Sequence, residues 1–256
     1  MRNFIYILVV IAIVFLLVYL YYSYTNKEIL KRINRQTLQV YKSSNKMVRV
    51  GKDNDGGYVI ADIEKPKYDF LISCGISNDI SFEKQFLDSH PDISCVAFDG
   101  TIDALPEKNP RITFIKKNIG ATNSDKTDNL NYYLNTYKNI MLKMDIEGSE
   151  HQWIKTVDKK AMENILQIVI EMHYNNDGHN DFESMKKIAQ THYLIHVHGN
   201  NCCGMTTIDG ITMPAVVECT YLRKKDFDLT KKTSFTMPTK LDQPNRKGKT
   251  EINLTI

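Results

Sequence analysis

Carboxylate and imidazole side chains follow several apolar runs of the sequence, at positions where they could bind a ligand or move a proton. Asp99 ends the run ISCVAFD, and Asp145 ends NIMLKMD. Glu171 and His173 end ILQIVIEMH, and His198 lies in YLIHVHGNN. A carboxylate at the end of a buried strand is costly unless it has a partner, so we expect a functional role for Asp145.

Two pairs of these side chains have the spacing of a strand face. Glu171 and His173 are two residues apart, as are His196 and His198. Either pair could therefore supply a general base that works near neutral pH. Asp145 and Glu171 are also suitable ligands for a divalent cation. We do not expect a metal, because H-x-H within an apolar strand is more often structural.

A second group of residues could bind a nucleoside. Gly75 follows an apolar run and allows a tight turn, and Asp99 could accept hydrogen bonds from both hydroxyl groups of a ribose. The turn reads CGISND, so it lacks the G-x-G-x-x-G pattern that holds a pyrophosphate at a helix N-terminus. This argues against NAD or FAD and permits a cofactor without phosphates. In the structural alternative, Gly75 ends a strand and Asp99 begins a turn.

Short apolar runs alternate with helical patterns from residue 68 onward, which is typical of a mostly parallel sheet with helices on both faces. The runs that predict strands are residues 68–76, 93–100, 111–120, 139–148, 165–173, 193–201 and 215–223. Such sheets bind ligands at the carboxyl ends of their strands, near the point where the strand order reverses. We therefore predict a doubly wound, Rossmann-like α/β fold with its site at these strand ends.

The N-terminal part of the chain predicts a membrane anchor. Residues 4–22 contain no charge, glycine or proline, and as a helix they would span about 28 Å, close to a hydrocarbon core. A cleaved signal peptide is the alternative, but tyrosines stand where small residues are usually cleaved. We predict a single-pass transmembrane anchor over residues 1–25, and the lysines and arginines after it favour a cytosolic catalytic domain.

The rest of the chain predicts a single domain over residues 46–256, after a helical stalk or first helix over residues 26–45. Within it, Asp-Gly-Gly at residues 55–57 predicts a hairpin. A net charge of +3 without a basic stripe is too mild to support nucleic-acid binding, and we expect none. The five cysteines form no C-x-x-C pair, so we expect no disulfide framework. The oligomeric state stays open.

Eight short motifs follow one another along the chain: GGYVI (56–60), ISCGISNDISFE (72–83), CVAFDGT (95–101), LKMDIEGSE (142–150), IVIEMH (168–173), HVHGNN (196–201), VVECTYLR (216–223) and LDQPN (241–245). The combination of DISFE after the first strand with FDGT and KMDIEGSE is specific. With these motifs in this order, the sequence resembles the FkbM-type methyltransferases, a branch of the class I fold that uses S-adenosylmethionine (SAM).

The resemblance implies a seven-stranded sheet with one antiparallel strand near an edge, and SAM over the end of the first strand. It implies that Gly75 and the turn 77–79 hold the methionine part of SAM, and that Asp99 holds the ribose. Residues 118–119 would flank the adenine, and Asp145 would face the methyl-transfer site. The cofactor-binding residues predicted in this way are Gly75, Ser77, Asn78, Asp79, Asp99, Gly100, Asn118 and Ile119.

Many FkbM-type enzymes methylate hydroxyl groups of sugars or secondary metabolites, so the resemblance implies an O-methyltransferase with a small-molecule or glycan acceptor. We expect Asp145, Glu171, His173 and His198 to converge on one pocket, because they close neighbouring strands, and His173 is the preferred base. Two alternatives stay open. One is a non-enzymatic, membrane-tethered binding module with a Rossmann-like fold. The other is a nucleotide-dependent oxidoreductase, which the missing phosphate loop disfavours.

Overall fold

The computed structural model describes the backbone of residues 2–174 and 182–256, and their side chains apart from those of residues 2–10, 30 and 33. A short 3₁₀ turn covers Lys224–Asp226. The α-helices of the described residues are α1 (Arg2–Thr37), α2 (Ser81–Ser89), α3 (Asn131–Thr136), α4 (Glu150–Thr156), α5 (Lys159–Met162) and α6 (Glu183–Ile188).

The strands belong to one large sheet and several two-stranded ones. In chain order they are β1 (Tyr41–Lys42), β2 (Met47–Gly51), β3 (Gly57–Ala61), β4 (Phe70–Cys74), β5 (Cys95–Phe98), β6 (Ile112–Ile115), β7 (Asn118–Ile119), β8 (Thr127–Asp128), β9 (Ile140–Met144), β10 (Ile165–His173), β11 (His192–Gly199), β12 (Met205–Ile208), β13 (Ile211–Pro214), β14 (Val216–Arg223), β15 (Thr230–Lys231), β16 (Thr236–Met237) and β17 (Leu254–Thr255).

The large sheet has seven strands in the order β11-β14-β10-β9-β4-β5-β6. Strand β14 is antiparallel to both of its neighbours, whereas the pairs on the β9, β4 and β5 side are parallel. The mostly parallel α/β sheet predicted from the sequence is thus confirmed. The chain runs from β4 outward to β6 and then returns to β9, so the strand order reverses between β4 and β9. A doubly wound sheet binds its ligand at this position.

Apolar side chains of the central strands alternate between two cores, one on each face of the sheet. Ile72 of β4 packs into the core that Trp153 and Met185 of helices α4 and α6 cover. Its neighbour Leu71 packs into the opposite core, with Phe82 of helix α2. Burial on both faces explains why these strands read as continuous apolar runs, since each buried aliphatic side chain contributes about 1.5–3 kcal/mol.

The hairpin predicted around residues 55–57 forms between β2 and β3, and it packs on the face of the sheet that carries the Gln167 side chain. Its pairing runs from Met47 opposite Ala61 to Gly51 opposite Gly57. The backbone N–H of Ala61 donates to the Gln167 side chain of β10 over 2.8 Å. The hairpin is thereby fastened to the middle of the sheet.

Three local predictions differ from the structure. The strand predicted over residues 111–120 ends at Ile115, and Asn118–Ile119 instead forms β7, which pairs with β8 outside the large sheet. The helical stalk or first helix predicted over residues 26–45 is helical only as far as Thr37, and β1 follows it and pairs with β15. The loop after β11 holds a disulfide between the adjacent residues Cys202 and Cys203, where we expected no disulfide framework.

Helix α1 joins the domain at its C-terminal end. The side chain of Asn34 is buried and donates to Oδ2 of Asp209 over 2.8 Å, and Leu38 just beyond the helix is buried in the core. Among the described residues, no helix has both the length and the apolar character that crossing a membrane requires. The transmembrane helix predicted over residues 4–22 is therefore not supported, and the side chains of residues 4–10 lie outside the described ones.

Candidate active site

A cleft of about 560 Å³ lies at the carboxyl ends of β4, β5 and β9, beside the reversal of strand order. This volume suits a nucleoside-sized ligand. Apart from Gly100, the predicted cofactor-binding residues line the cleft together with Asp145: these are Gly75, Ser77, Asn78, Asp79, Asp99, Asn118 and Ile119. A Cβ atom at Gly100 would lie 2.3 Å from Oδ1 of Asn118, so this glycine lets the Asn118 side chain pack closely.

Gly75 makes a turn that no other residue would allow. Its φ is +80°, and a Cβ atom there would lie 1.6 Å from the carbonyl oxygen of Asp145. The backbone N–H of Asp145 donates to the Cys74 carbonyl over 2.9 Å, so the loops after β4 and β9 touch at this point. The glycine therefore brings the predicted cofactor loop against the predicted transfer site.

Asp99 lines the cleft, and its carboxylate also accepts hydrogen bonds from the loop after β4. Its Oδ2 accepts hydrogen bonds from the backbone N–H groups of Ile76 and Ser77, at 3.0 and 2.8 Å. Its Oδ1 accepts from the backbone N–H and the hydroxyl group of Thr101. Burial opposes ionisation, but these hydrogen bonds outweigh it and lower the pKa of Asp99. The residue is thus a fixed carboxylate at the cleft wall, and its contact with a ribose stays a prediction.

Asp145 stands on the cleft wall at the end of β9, where the hairpin reaches it. The hydroxyl group of Tyr58 in β3 donates to Oδ2 of Asp145 over 3.1 Å. Burial raises the pKa of Asp145, and the positive charge of Lys143 opposes that rise. The carboxylate is held by a neutral donor and stays directed toward the cleft.

Glu171 and His173 lie behind Asp145, away from the cleft wall. Each of the three side chains offers a ligand atom, and these atoms lie within 4.8 Å of one another. Nδ1 of His173 is 3.1 Å from Oε1 of Glu150, a fully buried carboxylate at the start of α4. Burial alone would lower the pKa of His173, but the contact with Glu150 and the neighbouring carboxylates raise it. Burial and the charge of Asp145 together raise the pKa of Glu171.

A family model described as the methyltransferase FkbM domain matches residues 38–198, more than half of the chain. The match runs from the end of helix α1 to the end of β11 and includes the cleft and the three-residue cluster behind it. The chain belongs to the FkbM methyltransferase family. The resemblance drawn from the motifs is thereby confirmed. No curated protein matches the chain at a significant level.

Several solved structures match part of this FkbM family member at low sequence identity. A putative methyltransferase from Thermoplasma acidophilum shares 11% identity over 68% of this chain and 83% of its own, with a TM-score of 0.35. A putative rRNA methylase from Clostridium thermocellum shares 15% identity over 60% of this chain and 86% of its own, with a TM-score of 0.32. The fibrillarin pre-rRNA processing protein of Methanococcus jannaschii shares 13% identity over 71% of this chain and 83% of its own, with a TM-score of 0.34. These TM-scores are low, so the family assignment rests on the family match.

His198 does not join the other predicted catalytic side chains of this FkbM methyltransferase. Strand β14 lies between β10 and β11, which puts about three strand spacings, roughly 14 Å, between His198 and the end of β9. Its Nδ1 is 3.1 Å from Glu218 and its Nε2 is 3.5 Å from Glu251. Burial opposes protonation, but these carboxylates raise the pKa of His198 to about 9. The prediction that four side chains converge on one pocket is therefore wrong: Asp145, Glu171 and His173 lie close together, but of these three only Asp145 lines the cleft, and His198 lies apart.

The sequence reasoning missed two charged residues beneath the predicted cofactor loop. Lys143 of β9 is buried, and its ammonium group donates to the Gly75 carbonyl. Glu83 of α2 is buried and accepts a hydrogen bond from the Ser73 hydroxyl group. Burial raises the pKa of Glu83, and Lys143 opposes this. The signal was a lysine within the apolar run IMLKM, and it indicates a charge that must find a partner inside the fold.

Proposed function

We propose that this methyltransferase transfers the methyl group of SAM to a hydroxyl group of a small molecule or glycan. The observation that carries the proposal is the cleft at the reversal of strand order, with ionised Asp99 on one wall and Asp145 on another. A carboxylate suits the hydroxyl groups of a ribose.

SAM supplies an electrophilic methyl group. In the transfer, the acceptor oxygen forms a bond to the methyl carbon while the bond from that carbon to sulfur breaks, and S-adenosylhomocysteine leaves. The hydroxyl proton passes to a carboxylate or an imidazole of the site. Asp145 is the member of the cluster that lines the cleft, so we assign to it the contact with the acceptor oxygen. Alignment of the two reacting groups supplies much of the rate enhancement.

The first experiment measures cofactor binding by calorimetry, with the full chain and S-adenosylhomocysteine as the ligand. We expect one site per chain, and no binding of NADH at the same concentrations. Binding of NADH instead of S-adenosylhomocysteine would favour the oxidoreductase. Absence of binding for both would contradict the proposal.

A second experiment identifies the acceptor class. The chain is incubated with SAM that carries a tritium-labelled methyl group, together with a panel of monosaccharides and hydroxylated small molecules. We expect the label to appear on oxygen in one class of acceptor. Cofactor binding without transfer to any member of a broad panel would favour the non-enzymatic binding module.

A further inference from the structure

Three side chains at and behind the cleft wall, Asp145, Glu171 and His173, are arranged as metal ligands would be. Asp145 and Glu171 are carboxylates at neighbouring strand ends, and the Nε2 atom of His173 lies 3.9 Å from Oε1 of Glu171. With one ligand atom from each, the three atoms lie within 4.8 Å of one another. Two adjacent carboxylates repel each other in a buried site, and a cation between them would remove that repulsion.

A separate observation concerns the free nitrogen of His173. The imidazole is only 6% exposed, and its Nδ1 is engaged by the buried Glu150. Among the described residues, Nε2 has no hydrogen-bond partner and has only longer contacts, at 3.4 Å to Glu147 and 3.9 Å to Glu171. A carboxylate on one ring nitrogen that leaves the other directed at acidic ligands is the usual orientation of a metal-binding histidine.

The remaining hydrogen-bond donors to the two carboxylates are neutral groups. Asn200 donates its side-chain N–H to Oε1 of Glu171 over 2.8 Å, and Tyr58 donates to Oδ2 of Asp145 over 3.1 Å. The nearby Lys143 directs its ammonium group to the Gly75 carbonyl. Neutral donors thus fix both carboxylates, as outer hydrogen bonds do around metal ligands.

We propose that Asp145, Glu171 and His173 bind a divalent cation of the Mn²⁺ class, which accepts both carboxylate oxygen and imidazole nitrogen as ligands. The role of this cation rests on the proposed function: because Asp145 lines the cleft, a positive charge there would lower the pKa of an acceptor hydroxyl group. His173 is then a ligand, and its assignment as the general base is the competing interpretation.

The test uses Mn²⁺ alone as the probe, with the full chain freed of metal by a chelator. Binding is followed by the loss of the free Mn²⁺ signal in electron paramagnetic resonance. We expect one site per chain, and Glu171→Gln and His173→Gln should each weaken it by about tenfold or more. Glu218→Gln is the matched control. Glu218 of β14 lies directly opposite Glu171 of β10 but is not one of the three ligands.

Pulsed electron paramagnetic resonance on the unchanged chain tests the cation site without relying on folded variants. A histidine ligand gives a ¹⁴N coupling to bound Mn²⁺, so we expect that coupling. Absence of a bound Mn²⁺, absence of the coupling, or equal affinity in folded Glu171→Gln and His173→Gln variants would overturn the cation site. S-adenosylhomocysteine binding is measured on the same samples. If the unchanged chain binds Mn²⁺ but not S-adenosylhomocysteine, the proposed function is refuted and the cation site stands. If it binds S-adenosylhomocysteine but not Mn²⁺, the cation site is refuted and the proposed function stands.

Discussion

The hydroxyl group of Tyr58 donates a hydrogen bond to Oδ2 of Asp145 over 3.1 Å, and this contact joins the β2–β3 hairpin to the proposed methyl-transfer site. Tyr58 is buried against Phe82 of α2, with a centroid distance of 5.8 Å, so its ring has little freedom to move. The hairpin therefore does more than cover the sheet, since it sets the direction of the carboxylate that lines the cleft.

Tyr58→Phe should lower turnover about tenfold and leave cofactor affinity nearly unchanged. The reason is that Asp145 loses a donor to a charged group, an interaction of about 1.5–3 kcal/mol, while the loop after β4 is untouched. Turnover is measured with the acceptor found in the tritium experiment, and affinity by calorimetry. Tyr68→Phe is the control, because Tyr68 is also buried but bonds to Gln167, away from the cleft. Equal turnover in the two variants would contradict a positioning role for Tyr58.

Asp99→Ala should weaken the binding of S-adenosylhomocysteine by about 1.5–3 kcal/mol, the range for hydrogen bonds to a charged group. The loss has two sources: the ribose contact and the hydrogen bonds that Asp99 accepts from Ile76 and Ser77. Calorimetry on the folded variant measures it. Asp103→Ala serves as control, since Asp103 is exposed and pairs with Lys116. Unchanged affinity in folded Asp99→Ala would refute the assignment.

His173→Ala should lower turnover strongly while cofactor affinity stays within about twofold of the unchanged chain. His173 contacts Glu150 and Glu171 but does not line the cleft, so it acts next to Asp145 and not on SAM. A general base contributes roughly 10²–10⁴-fold to a rate. Activity that EDTA abolishes and Mn²⁺ restores would favour the ligand role over the base role. Full turnover of His173→Ala would contradict both roles.

The contribution of His192 to the free energy of unfolding should fall as the pH is lowered from 6.5 toward 4, because His192 is buried in its neutral form. Its Nε2 donates to the Ile165 carbonyl and its Nδ1 faces the Thr191 hydroxyl group. Burial lowers the pKa of His192 to about 4. Between these pH values the unfolded chain binds the additional proton, which costs the folded state up to about 3 kcal/mol.

Urea unfolding of the unchanged chain and of His192→Gln at pH 7 and pH 5 measures this contribution, and the unchanged chain should lose stability relative to the variant between the two pH values. Glutamine lacks a titrating group in this pH range, and its amide can still donate to the Ile165 carbonyl. An unchanged pH dependence in the variant would show that His192 is not the group responsible.

The sequence alone determined the fold class and the family. Apolar runs long enough to be buried on both faces require a parallel sheet, and the ends of such strands meet at one edge, so Gly75, Asp99 and Asp145 could be assigned to one cleft. Their spacing along the chain carries this information, because a glycine or a carboxylate directly after a strand has few other positions to take. The motifs DISFE, FDGT and KMDIEGSE added the family.

Only the tertiary structure decided which polar residues share a site. Strand β14 runs antiparallel between β10 and β11, and that insertion separates His198 from Asp145. The hairpin brings Tyr58 to Asp145 from a position 87 residues earlier in the chain, a distance over which no local pattern carries information. Lys143 and Glu83 could not be assigned either, because a buried charge depends on partners that folding alone brings within reach. Strand periodicity is a local property, whereas strand order and side-chain pairing depend on the whole chain.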